Sequence, residues 1–311
     1  MFAFQFASYD PNEVLTINND VKEPAPSPNQ VLVEVNAAGL NPVDKAIMAG
    51  YLKEMVHLPA TLGGDFSGVI TQVGDSVSEF KKGDNVYGQA IVLNGGSGTL
   101  AQFVAANAGN TALMPKRLNF VEAASLPLAG ASALQAIEEH IKLKSGQKIL
   151  IHGGSGGIGS IAVQIAAGMG AYVAATSSEK DKEYVHHLGA DEVIDYQNET
   201  FEDMLKNYDA VFVTVSGDIV NRSLAVLKKG GILVSMLTPP DPELVKKYQV
   251  TAIQQMTNTN TSKLNRLAQL VNDGKLKPQI AKVFPLDQIP DAFKYLGEGH
   301  PRGKVVVKIK D

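Results

Sequence analysis

The sequence predicts an α/β fold in two parts, a doubly wound parallel sheet and an irregular β domain. Three observations carry this. Short apolar strands alternate with helix-period segments from about residue 147 to 236. A glycine cluster sits where the first of those strands turns into a helix. Residues 1–118 lack helical periodicity and read as short strands joined by Pro- and Gly-rich turns.

In the first part, 31–35 alternates apolar and polar, 68–73 follows a glycine-rich approach, and 85–88 comes after Lys82-Gly83-Asp84. Turn signals recur at 24–28, at Gly74-Asp75 and at 94–98. From about 120 the texture changes, and 120–128 and 132–140 read as helix. Strands at 147–152, 171–176, 192–195, 209–215 and 231–236 then alternate with helices at 158–169, 179–188, 199–206 and 218–228. A helix at 261–273, an apolar segment at 283–286, a helix near 291–296 and a strand at 304–309 complete the chain. That last strand cannot easily extend a finished parallel domain. It is expected to return to the first part, so that 1–120 and 263–311 form one discontinuous domain around an inserted 121–262.

Composition narrows the function. The 311 residues are 44% hydrophobic and 19% charged, as in soluble globular proteins. A net charge of −4 without a basic cluster argues against nucleic-acid binding. No run of 18 apolar residues appears, and the N-terminus lacks a basic stretch followed by an apolar one, so a cytoplasmic protein without a membrane partner is expected. The absence of cysteine excludes disulfides, thiolate catalysis and cysteine-ligated zinc. His57, His140, His152, His186, His187 and His300 form neither HxxxH nor HxH. His186 and His187 would point about 100° apart on a helix and cannot share a metal. Catalysis is expected to need none.

The glycine cluster is the most specific local signal. An apolar strand, Lys148 to His152, runs into Gly154-Ser155-Gly156-Gly157-Ile158-Gly159 and then into a helical run. In a dinucleotide-binding Rossmann turn the first glycine makes the tight turn and the second lets the backbone approach a pyrophosphate. The third lets helix and sheet pack, and the helix N-terminus offers unpaired N–H groups.

Other motifs span nearly the whole chain: Ala37-Ala-Gly-Leu-Asn-Pro-Val-Asp44, Leu62-Gly-Gly-Asp-Phe-Ser-Gly-Val69, Phe80-Lys-Lys-Gly-Asp-x-Val86, Ala124-Ser-Leu-Pro-Leu-Ala-Gly-x-Ser132, Leu188-Gly-Ala-Asp191 and His300-Pro-Arg-Gly-Lys-Val-Val306. In this order they resemble the medium-chain dehydrogenase/reductase superfamily, and most closely its zinc-independent quinone oxidoreductase branch. The resemblance implies a GroES-like β domain with an inserted Rossmann domain. Asn41 stands where the alcohol-dehydrogenase branch carries its first zinc cysteine, and Gly64-Asp65 where it has its ligand histidine and acid. The lobe for a structural zinc is missing.

The second strand of the inserted domain ends in Ser177-Ser178-Glu179-Lys180, with Lys182 close behind. Aligned to the dehydrogenase pattern, Ser177 replaces the acid that selects NAD. The Ser177 and Ser178 hydroxyls with Lys180 and Lys182 suit a 2′-phosphate, so NADPH is expected ahead of NADH. The competing reading is a helix cap with solvated lysines, and a one-residue slip would put Glu179 at the selecting position. Tyr196 matches a position whose ring packs near the adenosine end. Val215 and Ser216, before Gly217, resemble the turn beneath the cofactor.

Without a Lewis acid, neutral donors must steady the charge that develops on the acceptor, which favours quinones or conjugated carbonyls over simple ketones. Asn41 is the first candidate donor; its alternative role is a turn residue before Pro42. Tyr51 is a possible donor or ring wall, one position away from the family's usual Gly-x-Tyr spacing, and a plain half-buried aromatic is the competing reading. Ser132 lies beside the nicotinamide or caps a helix. Arg302 and Lys304 resemble C-terminal residues that approach the cofactor; ordinary surface charges are the alternative.

The resulting expectation is an NADPH-dependent quinone reductase without zinc. The alternatives are a reductase of α,β-unsaturated carbonyls and a non-catalytic NADPH-binding protein. A homodimer is expected, with the strand at 231–237 as a candidate sheet edge.

Overall fold

The computed structural model describes residues 1–10, 16–298 and 301–310. His300, part of the C-terminal motif, lies outside the described residues. The chain forms two compact units. One contains Met1–Ala131, Thr259–Gly274 and Pro278–Asp311, the other Ser132–Asn258 and Lys275–Lys277.

Up to the unit boundary the chain forms β1 (Ala3–Phe6), β2 (Thr16–Asn18), β3 (Gln30–Leu40), α1 (Pro42–Met48), β4 (Ala60–Thr61), β5 (Asp65–Val73), β6 (Asn85–Gln89), β7 (Phe103–Asn107), β8 (Thr111–Leu113) and α2 (Phe120–Ala124), and α3 (Pro127–Leu134) crosses it. The second unit runs through β9 (Lys148–His152), α4 (Gly157–Gly168), β10 (Tyr172–Ser177), α5 (Lys182–His187), β11 (Glu192–Asp195), α6 (Phe201–Met204), β12 (Tyr208–Val213), α7 (Ile219–Arg222), β13 (Leu227–Ser235), α8 (Pro242–Tyr248) and β14 (Thr251–Gln254). The chain ends with α9 (Thr261–Asn272), β15 (Ile280–Pro285), α10 (Ile289–Glu298) and β16 (Lys304–Lys308).

In the first unit β3 organises the larger sheet. Along one edge it pairs with β5. Along the other it pairs first with β7, through Gln30 to Glu34, and then with β16, through Ala37 to Leu40. Irregularities at Leu32/Val33 and Val35/Ala37 in the β3–β5 register accompany this change of partner. Val31, Val33, Phe66, Val104, Val305 and Val307 bury their side chains in the resulting core. The unit boundary falls after Ala131 rather than after 120 because α2 belongs to this sheet. Ala124 packs on Ala37 and Val306, and a Cβ on Gly39 would lie 2.3 Å from the Ala124 carbonyl oxygen.

The second unit is a six-stranded sheet in the order β11-β10-β9-β12-β13-β14, parallel throughout. Strand order reverses between β9 and β12, so their carboxyl ends flank the switch point where α/β sheets bind ligands. Ile149, Leu150 and Ile151 of β9 are fully buried, as expected of a strand covered on both faces. Residues 237–260, which carry no strong motif, form α8 and β14. The Asp241 carboxylate accepts the Glu243 N–H (2.8 Å) and Pro242 opens the helix. Because β14 adds to β13, the strand expected as a free edge is internal, and β14 is the edge on that side, with β11 at the other. Among the described residues no helix is long and apolar enough to cross a membrane.

Candidate active site

At the end of β9 the chain turns at Gly153, whose φ is +77°. The tight turn therefore belongs to Gly153, one residue before the glycine to which the motif assigns it. The loop is pinned by β10, where Thr176 accepts the Gly153 N–H on Oγ1 (3.2 Å) and the Gly154 N–H on its carbonyl (2.9 Å). The glycines then serve distinct ends. A Cβ on Gly159 would lie 2.0 Å from the Gly153 oxygen, and one on Gly154 would lie 2.9 Å from Ala175 Cβ. Both are needed for packing. A Cβ on Gly156 would meet only the Gly153 oxygen, at 3.4 Å. Among the described residues no packing contact of that Cβ requires a glycine there, and the bare backbone is open to a ligand. Gly156 is the N-cap of α4, and the N–H groups of Gly157, Ile158 and Gly159 have no acceptor among the described residues. An open backbone beside unpaired donors and a positive helix end fits a pyrophosphate.

The same sheet edge gathers most of the other expected cofactor residues. Val215 Cγ1 and Thr214 Oγ1 would lie 2.9 and 2.7 Å from a Cβ on Gly153, so the turn after β12 abuts the loop. Ser216 is exposed in that turn. Tyr196, largely exposed, donates its N–H to the Ser177 carbonyl (3.1 Å). The hydroxyl donors behave differently from expectation. Ser177 is buried and its Oγ donates to the Ser178 carbonyl (3.0 Å). Ser178 Oγ donates to Asp181 (2.8 Å) rather than to a helix N–H. Lys182 pairs with Glu179 (3.0 Å) and Glu199 (3.1 Å), which hold its pKa up, while Lys180 is exposed. A 2′-phosphate arriving here would meet the Lys180 and Lys182 cations but would compete with Glu179 for the second.

A separate polar cluster lies in the first unit. The Asn41 amide is held at both ends: Nδ2 donates to Asp65 (2.8 Å), and Oδ1 accepts from Lys304 Nζ. Lys304 Nζ also donates to the Leu40 carbonyl (2.8 Å) and lies 3.6 Å from Asp65. Asp65 accepts the Leu128 N–H as well (3.1 Å). Burial pushes the Asp65 carboxyl up and the Lys304 ammonium down, and their mutual attraction opposes both shifts. Asp44 Oδ2 accepts the Asn41 backbone N–H (2.8 Å), while Oδ1 has no partner among the described residues. Burial, and secondarily the Asp65 charge, raises Asp44 to about 7. The second Asn41 amide proton has no acceptor among the described residues. An ammonium on the amide oxygen polarises that remaining N–H and makes it a stronger donor.

Residues 27–116 match the family described as alcohol dehydrogenase GroES-like domain, and residues 188–307 the family described as zinc-binding dehydrogenase. The chain is 37% identical over 319 residues to the 2-methylene-furan-3-one reductase of Solanum lycopersicum, covering 99% of this chain and 79% of that protein. It is 35% identical, with the same coverage, to the NADPH-dependent alkenal/one oxidoreductase, chloroplastic, of Arabidopsis thaliana. The quinone oxidoreductase structure from Coxiella burnetii superimposes with a TM-score of 0.91 at 34% identity, over 100% of this chain and 99% of that one. The chain belongs to the medium-chain dehydrogenase/reductase superfamily, in its zinc-independent quinone oxidoreductase branch.

In this superfamily member the remaining expected site residues have diverse surroundings. Lys304 is not a surface charge; it lies in the first unit's buried cluster. Ser132 is buried inside α3, not at a cap, with its Oγ 2.8 Å from Thr257 Oγ1. It helps hold 255–258 in place: Gln255 donates to the Ser132 carbonyl (3.1 Å), and Gln135 binds the Met256 carbonyl (2.9 Å) and the Asn258 N–H (2.9 Å). Tyr51 is 83% exposed, not half-buried. Arg302 is exposed before β16. Among the described residues no group of three or more His, Asp or Glu is placed to hold a metal. The Asp65–Lys304 pairing escaped sequence reasoning; its signal was a lysine directly before three valines, in a strand whose burial begins at that lysine.

Two outcomes follow from the buried charges. Lys304→Met leaves Asp65 buried without its cation and should cost about 3–5 kcal/mol in urea denaturation, with much of the loss recovered by adding Asp65→Asn. The folded state holds the Asp44 proton up to about pH 7, whereas an ordinary aspartate loses it near 3.8. Stability should therefore fall as pH rises through that window. Asp44→Asn should remove that slope and be more stable than wild type at pH 8, by on the order of 4 kcal/mol, with little difference at pH 4.

Proposed function

We propose that the chain is an NADPH-dependent oxidoreductase of conjugated carbonyl compounds, with α,β-unsaturated ketones and aldehydes as its acceptors. The observation that carries the cofactor assignment is the open backbone at Gly156 beside the unpaired N–H groups of Gly157, Ile158 and Gly159. When bound, the reduced nicotinamide supplies a hydride. The chain's residues bind and orient: the loop receives the pyrophosphate, Val215 and Ser216 line the same edge, and Lys180 and Lys182 receive the 2′-phosphate with Tyr196 beside the adenosine.

Asn41 is the proposed neutral donor to the acceptor oxygen, its amide aimed by Asp65 and Lys304. A neutral donor suits an acceptor that spreads incoming charge by conjugation. The names of the tomato and Arabidopsis relatives support the enone reading. Quinones are the second reading, supported by the similarity to the Coxiella structure. Steady-state turnover with a panel of enals, enones and quinones tests both. Binding of NADPH without reduction of any of them would leave a non-catalytic binding protein. A homodimer built through an edge of the parallel sheet would pair along β14 or β11 rather than β13, which sedimentation of edge variants in each strand would test.

Gly156→Val should weaken NADPH binding about tenfold or more in a fluorescence titration with little change in melting temperature, since a side chain there meets almost no protein atoms. Glu179→Gln releases one carboxylate from Lys182 and should raise the preference for NADPH over NADH several-fold in kcat/KM.

A further inference from the structure

His152, the last residue of β9, is fully buried on the face that packs Leu150 and Phe201, with its ring edge-on to Phe201 at 4.7 Å between centroids. An imidazole in such a layer is costly unless both nitrogens are satisfied. They are: Nδ1 lies 3.2 Å from Thr176 Oγ1 and Nε2 lies 2.9 Å from Ser223 Oγ.

The direction of every bond follows from counting protons. Ser223 Oγ has one proton and donates it to the Ile219 carbonyl at 2.5 Å. It must therefore accept from His152, so Nε2 carries the hydrogen. In a neutral ring Nδ1 is then an acceptor, and the single Thr176 hydroxyl proton points to it. The Thr176 oxygen is thereby left with its lone pair toward the Gly153 N–H. One ordered chain runs from Gly153 N–H through Thr176, His152 and Ser223 to the carbonyl of Ile219, in α7. From the other side, Thr214 Oγ1 donates to the His152 carbonyl (2.6 Å).

We propose that His152, as the neutral Nε2–H tautomer, is a positioning residue for cofactor binding: it orients the Thr176 hydroxyl that pins Gly153, and couples the glycine loop to α7, the helix following the Val215–Ser216 turn. The proposal rests on the dinucleotide reading of that loop. Burial holds the ring's pKa down to about 3. The charged groups facing it are Arg222, which also lowers it, and Glu202, which opposes; these two pair with each other at 2.6 and 2.8 Å. The ring therefore stays neutral across the working pH range, and the direction of the chain does not reverse.

The test uses the full chain. Long-range 1H–15N NMR on 15N-histidine-labelled protein, with His152 assigned by His152→Gln, should show Nε2 protonated and Nδ1 bare, unchanged from pH 8 to 5. An Nδ1–H tautomer, or titration near the ordinary histidine value, overturns the proposal. Thr176→Val should weaken NADPH binding about five- to tenfold, the worth of one or two lost hydrogen bonds, while Thr176→Ser restores it and the KM for the acceptor stays unchanged. His152→Phe should match Thr176→Val; if it does not fold, the threonine pair carries the comparison. NADPH binding by wild type with Thr176→Val unaffected overturns this proposal alone. A wild-type chain that binds no dinucleotide overturns the functional reading and this one with it.

Discussion

The nucleotide-binding unit depends on one close approach, that of the first turn of α4 to the carbonyl of Gly153. The 2.0 Å that would separate a Gly159 Cβ from that oxygen leaves no room for any side chain. With helix and loop this near, the N–H groups of the first turn line up beside the loop instead of standing off from it. The rest of the sheet edge is arranged around that fixed point. Thr176 on one side and Thr214 on the other bind the backbone of 152–154, so neighbouring strands hold the loop from both flanks. A loop fixed before its ligand arrives loses less entropy on binding.

The first unit follows a different physical logic. Its candidate donor is held by charges that are expensive to bury, and desolvation pushes both members of the Asp65–Lys304 pair toward neutrality. Such a pair adds little net stability compared with an apolar substitute. What it supplies is direction. A carboxylate on one end of an amide and an ammonium on the other leave one orientation for Asn41, whereas a hydrophobic setting would leave its rotation free.

How much of this was legible in the sequence depended on locality. β11 lies at the expected 192–195, and β9 within a residue, because buried parallel strands read as short apolar runs between turns. β14 escaped notice since an edge strand with half-exposed residues, Thr251 to Gln254, has no such run. The glycine loop was readable because its parts are consecutive, although the positive φ belongs to Gly153 and no spacing rule marks it. The Asn41 cluster was not, because its partners lie 24 and 263 residues away. Ser177 and Ser178 are where expected, but which way a hydroxyl points depends on neighbours such as Asp181 that residue type does not reveal.

β16 has a consequence for how the protein is made. Lys304 reaches the Leu40 carbonyl from 264 positions downstream. On a ribosome, β3 emerges with the edge at Ala37 to Leu40 uncovered, and it stays so until β16 has been made. At about 5–20 residues per second that interval is on the order of tens of seconds. During it the nascent chain carries an open strand edge and an Asp65 without its counter-ion. Loss of β16 would make that vulnerable state permanent.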